Sequence, residues 1–135
     1  MVKGILADNN VIRQVEALVA LMQSEPWTEV WVALGLVLRR FDDVGLTPES
    51  NDLEIWQACQ TNQLILITDN RNYDSPDSLE ATIRKFNQPE SLPVFTIADL
   101  DKFKSRTYAE RVVASIHDYL LRIDEIRGVG RLYLP

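Results

Sequence analysis

The sequence predicts a three-layer α/β/α sandwich built on a mainly parallel sheet. Short apolar runs at Lys3–Asp8, Leu64–Thr68 and Leu92–Ile97 alternate with stretches of helical period, the arrangement that puts helices on both faces of a sheet through right-handed crossovers. The first run ends in Asp8, and the second passes directly into Asp69. Strands buried on both faces read as unbroken apolar runs rather than as alternation.

Each element has its own signal. After the first strand, Val11, Val15, Leu18 and Met22 fall on one helical stripe, with Asn9 or Asn10 available as a cap. Pro26 interrupts the chain, and Trp27–Leu36 fits both a helix, through Trp31, Leu34 and Leu38, and a strand, through the apolar run Val30–Val37. Helix followed by a short strand near Val37–Phe41 is the preferred reading, and Asp42–Asn51, with Gly45 and Pro48, has loop chemistry. Asn51-Asp-Leu-Glu54 matches a capping box, so a helix starts at Asp52 and runs through Gln60 with Ile55, Trp56 and Cys59 inward. Leu64–Thr68 is the second clear strand.

Asp77-Ser-Leu-Glu80 repeats the capping signature ahead of the stripe Leu79, Ile83 and Phe86, and Pro89 closes that unit. Leu92–Ile97 supplies another strand, with Pro93 acceptable near its start, followed by a helical turn at Ala98–Lys104. Tyr108, Val112, Ile116, Leu120 and Ile123 mark a long helix with Arg111, Asp118 and Glu125 outward, ended by Gly128 and Gly130. The tail Arg131–Pro135 is expected to pack onto the domain, with an added edge strand or a docked partner as alternatives.

Composition bounds the class. A chain of 135 residues, 46% hydrophobic, encloses one core, so one domain over residues 1–135 is expected. It has no apolar stretch near the roughly 20 residues needed to span a bilayer. Its first residues lack the charged, apolar and cleavage regions of a leader, so a cytoplasmic protein with no membrane association is expected. The lone Cys59 reads as a small buried hydrophobe. Fourteen basic against twenty acidic residues exclude loose adhesion to polyanions. Nucleic-acid contact would have to be local, with Arg39-Arg40, Arg84-Lys85 and Lys102, Lys104 and Arg106 as candidate patches.

In a parallel sheet, Asp8, Asp52 and Asp69 approach one point outside the carboxyl ends of the strands, where ligands of such folds bind. Clustered carboxylates repel unless a cation neutralises them, which makes Mg²⁺ or Mn²⁺ the expected cofactor and phosphodiester hydrolysis the expected chemistry. Each acid also has a structural role open to it: Asp8 as a helix cap, Asp52 at a helix N-terminus, Asp69 bracing the turn Thr68-Asp-Asn-Arg71.

Three segments carry a family resemblance: Leu6-Ala-Asp8-Asn-Asn-Val11, Asp52-Leu-Glu-Ile55-Trp-Gln-Ala58 and Leu64-Ile-Leu-Ile-Thr68-Asp-Asn-Arg-Asn-Tyr73. They resemble the signature segments of short PIN-like domains, closely over the first half of the chain and by element order beyond it. The resemblance implies an α/β/α sandwich and a Mg²⁺- or Mn²⁺-dependent ribonuclease with Asp8, Asp52 and an acid after Thr68 as metal and catalytic residues. It also implies a single-stranded RNA substrate and, by likeness to VapC-type toxins, an antitoxin-like partner and a homodimer.

The third segment departs from the family pattern Thr-x-Asp-x-Asp-Phe. Asn70 and Asn72 stand on the two acidic positions, Tyr73 on the aromatic one, and Asp69 lies one place early. Amide oxygens still coordinate a cation but carry no charge, so weakened affinity and activity are expected. Asp69 compensates by a one-residue shift in this reading, Asp74 or Asp99 completes the shell, and Arg71 is a further site residue.

Two rival classes remain. A response-regulator receiver would use Ile5-Leu-Ala-Asp8-Asn9 as its acidic strand end, Asp69 as phosphoacceptor and Pro93-Val-Phe-Thr96 as its threonine strand, but no strand followed by lysine is evident after Thr96. A noncatalytic interaction module would use Trp27, Trp31 and Leu132-Tyr133-Leu134, although tryptophans in such a chain are commonly core. His117 lies in a helix without an evident partner, and Gly128-Val-Gly130 lacks the strand and helix context of a phosphate loop.

Overall fold

The computed structural model of the chain describes residues 1–71 and 75–135. Its centre is an all-parallel sheet of five strands in the order β2-β1-β3-β4-β5: β1 Gly4–Ala7, β2 Val37–Arg39, β3 Leu64–Thr68, β4 Val94–Ile97 and β5 Arg131–Leu134. Between β1 and β2 lie α1, Ile12–Met22, and α2, Thr28–Leu34; α3, Asp52–Asn62, precedes β3. Then come α4, Leu79–Phe86, before β4, and α5, Arg106–Leu121, with the short α6, Ile123–Ile126, before β5.

Alternation along the strands sorts the core into two layers. Ile5, Ala7, Ile65, Ile67, Phe95 and Ile97 face Val15, Leu18 and Met22 of α1 and Val112, Ile116 and Leu120 of α5. Leu6, Leu64, Leu66 and Val94 face Ile55, Trp56 and Cys59 of α3 and Leu79 and Ile83 of α4. The helix stripes read from the sequence are the buried ones, and the three-layer sandwich follows from covering both faces. No helix among the described residues is long and apolar enough to cross a membrane.

The capping box that starts α3 is formed on both sides: Glu54 N donates to Asn51 Oδ1 at 2.8 Å, and Asn51 N to Glu54 Oε1 at 3.1 Å. At Gly4 β1 and β2 approach closely, since a Cβ there would lie 2.2 Å from the Val37 carbonyl oxygen.

Three expectations need correction. Neither Asn9 nor Asn10 caps α1; the chain enters through a 3-10 turn, Asn9–Val11, without a side-chain cap bond at either helix start. The cap of α4 is Ser78, whose hydroxyl accepts from Ala81 N, one residue later than the Asp77 box, because the buried Leu79 sets the helix start. The tail is a fifth strand, held parallel to β4 by a register from Val94↔Arg131 to Ile97↔Leu134. Its apolar Leu134 is buried, and a tail without a fixed partner would leave that side chain in water. The tryptophans sit in or against the core, the reading preferred from the sequence: Trp31 is buried and Trp27 half-buried.

Candidate functional site

The strand order reverses at β1. The chain leaves β1 for β2 on one side and returns to β3 on the other, and in open parallel sheets this topological switch point opens a crevice at the carboxyl ends of the two strands. Asp8 follows β1 directly, and Thr68 is the last residue of β3. Asp8 N donates to Ile67 O at 3.1 Å, which continues the β1–β3 ladder and sets Asp8 beside Thr68.

The Thr68 hydroxyl, fully buried, donates to Asp8 Oδ2 at 2.6 Å and accepts from Asn70 N at 3.0 Å. Burial pushes the Asp8 carboxyl above its ordinary value of 3.8; the Thr68 bond opposes that rise, and the charges of Asp69 and then Asp52 add to it. Acids from two other segments therefore act on Asp8 at the crevice. None of the three forms an ion pair with Lys or Arg among the described residues.

Asp52 enters from the first turn of α3, and the Asn70 side-chain amide lies 3.4 Å from its Oδ1 and 3.3 Å from its Oδ2 as donor. Asn70 supplies hydrogens to a neighbouring carboxylate where an aspartate would repel it.

Arg131, which sequence reasoning did not single out, crosses the same face from β5. Its Nη1 donates to Asn70 O at 2.8 Å and to Thr96 Oγ1 at 2.6 Å, and its Nε to Glu80 Oε1 at 3.1 Å. The row Asp8, Thr68, Thr96 and Arg131 shares the sheet face that carries Leu66 and Val94. An arginine directly after Gly128-Val-Gly130 gives no local sign of this; only the parallel register of β5 brings it there.

Asp69 and Asn70 are half-buried, and Arg71 is exposed. Asp99 caps the 3-10 turn Leu100–Lys104, its carboxylate accepting from Asp101 N at 3.0 Å. Asn72, Asp74 and the aromatic Tyr73 lie outside the described residues. Cys59 sits behind the site, and burial, with a smaller contribution from the Asp8 charge, pushes its thiol up, so it offers no thiolate.

The donors suit Mg²⁺ or Mn²⁺ in kind, being carboxylate and amide oxygens. In number they fall short of a ready-made cage: no three His, Cys, Asp or Glu side chains among the described residues cluster closely enough to hold an ion. Asp8, Asp52 and the side-chain oxygen of Asn70 are the residues that could hold such an ion. Comparison with family models, curated proteins and solved structures gives no match.

Proposed function

We propose that the chain is a PIN-like domain that acts on single-stranded RNA as a weak, Mg²⁺- or Mn²⁺-assisted ribonuclease. The observation that carries this reading is a half-buried carboxylate, Asp8, at the switch-point crevice, with Asp69 and Asp52 raising its proton affinity and no basic side chain pairing with it among the described residues. Folding tolerates such an arrangement at a cost, and an arriving cation removes that cost.

Asp8 and Asp52 would hold the ion, with Asn70 as a neutral ligand. A bound divalent ion stabilises charge on a phosphoryl oxygen and lowers the pKa of water. Thr68 fixes the Asp8 carboxylate by its 2.6 Å bond, and Arg131 steadies the Asn70 backbone. Asn70 in place of an acid removes one negative charge from the shell, which supports weak rather than efficient turnover.

The test is cleavage of a labelled single-stranded RNA with Mn²⁺, with Mg²⁺ and with chelator. Slow cleavage that needs the metal and is lost in both Asp8→Asn and Asp52→Asn supports the proposal. Cleavage unaffected by chelator, or retained in both variants, refutes it.

The strand order favours one second reading. Order 2-1-3-4-5 is that of flavodoxin-like domains and of receivers, with Asp69 directly after β3 and Thr96 in β4. Acetyl phosphate followed by intact mass measurement separates the two: a labile phosphate lost in Asp69→Asn supports the receiver, and an unchanged mass supports the nuclease.

A further inference from the structure

Beside the acid crevice, between α4 and β5, lies a groove of about 460 Å³ lined by Glu80, Arg84, Asn87, Gly130, Arg131 and Tyr133. A second hollow of about 450 Å³ shares Glu80, Arg84 and Tyr133 and adds Arg71. Neither feature belongs to the carboxylate site, and both border it through Asn70, whose carbonyl accepts from Arg131.

Arg131 is built into this groove. Its side chain is only 7% exposed, and Glu80, Asn70 and Thr96 hold its Nε and Nη1. Its Nη2, also shielded, has no hydrogen-bond partner among the described residues. A guanidinium fixed on two of its nitrogens with the third left over is a preorganised donor, and an unsatisfied charged donor is costly unless a ligand completes it. Asn87 lines the same groove, its Nδ2 donating to Gly128 O at 2.6 Å and its Oδ1 buried without a partner. One orphan donor and one orphan acceptor in a single groove suit a ligand that offers an anion beside a hydroxyl or amine.

Charge and shape narrow the ligand. Arg71, Arg84 and Arg131 face the groove and its extension against a single carboxylate, Glu80, in a chain whose net charge is −6. Arg84 is largely exposed and Tyr133 is 51% exposed at the rim. An exposed aromatic ring beside a basic channel is the combination that stacks bases and follows phosphates in single strands. The volume suits a nucleotide-sized segment.

The geometry points to a binding groove for the backbone of single-stranded RNA, with Arg131 and Arg84 holding a phosphate and Tyr133 stacking a base. The strand would lie alongside the Asp8 and Asp52 crevice. This inference rests on the reading of the chain as an RNA-acting domain, but it assigns binding to residues outside the carboxylate site.

The experiment is fluorescence anisotropy with a labelled single-stranded RNA of about ten nucleotides, in chelator so that metal-dependent chemistry is absent. Arg84→Glu is expected to weaken binding at least roughly tenfold and to lower the salt slope by about one. Tyr133→Ala is expected to weaken it by roughly fivefold or more. Arg39→Glu, on the opposite sheet edge, is expected to bind like the native chain. Native-like binding by both groove variants, equal weakening by Arg39→Glu, or displacement by inorganic phosphate as effective as by a mononucleotide overturns the proposal. All of these variants alter side chains outside the apolar core. A groove failure with Mn²⁺-dependent cleavage retained refutes only this inference, and intact RNA binding with no metal response refutes only the catalytic reading.

Discussion

The Thr68 hydroxyl donates to the Asp8 carboxylate at 2.6 Å, joining the carboxyl ends of two neighbouring strands that are 60 residues apart in sequence. The bond makes one unit of the first and third segments of the crevice. Thr68→Val keeps the shape and removes the donor, leaving a half-buried carboxylate poorly satisfied. The expected loss is about 1–3 kcal/mol by urea denaturation, with Thr68→Ser retaining most of the stability.

Arg131 ties β5 to β4 and to the loop after β3 through Thr96, Asn70 and Glu80. Removing one partner of a buried charged network leaves the others uncompensated. Arg131→Met is expected to cost roughly 3 kcal/mol, read as a lower urea midpoint, and Glu80→Gln should cost less because Glu80 is 25% exposed.

Asp52 reaches the crevice because α3 begins where it does. Asn51→Ala removes the side-chain half of the capping box and is expected to cost about 1 kcal/mol in denaturation. Asn51→Asp, which keeps the acceptor, should be close to neutral.

His117 gives a pH signature. Burial lowers its pKa below the usual 6.5, and neither ring nitrogen has a hydrogen-bond partner among the described residues, with the Trp27 ring 5.2 Å away. The unfolded chain therefore takes up this proton at a higher pH than the folded one. The resulting stability is fully present above pH 6.5 and is lost as pH falls from there toward the folded value. The slope for this one group is at most about 1.4 kcal/mol per pH unit. Denaturation midpoints from pH 7.5 down to 5 should fall less steeply in His117→Leu than in the native chain; equal slopes would contradict this assignment.

The fold was legible because its signals are local. The runs at Gly4–Ala7 and Leu64–Thr68, the stripes of α1 and α5, and the Asn51 box each declare themselves within a dozen letters. The α4 cap was misread by one residue because two competing capping residues, Asp77 and Ser78, stand side by side and the packing of Leu79 decides between them. Asp8, Asp52 and Asp69 were legible as strand-end and helix-start acids. Thr68, Thr96 and Arg131 were not, since their roles exist only through the register of β3, β4 and β5. A threonine ending a strand looks like any β-branched strand residue until its neighbour across the sheet is known.

The claim that the crevice acids form a cation site is tested most directly by thermal unfolding with Mn²⁺ added to the native chain, to Asp8→Asn and to Asp52→Asn. At about one hundred times the dissociation constant, binding is worth about 2.7 kcal/mol, a rise of several degrees for a chain of this length. The predicted result is that rise in the native chain and little or none in either variant. The same shift in all three proteins, or no shift in the native one, would contradict it.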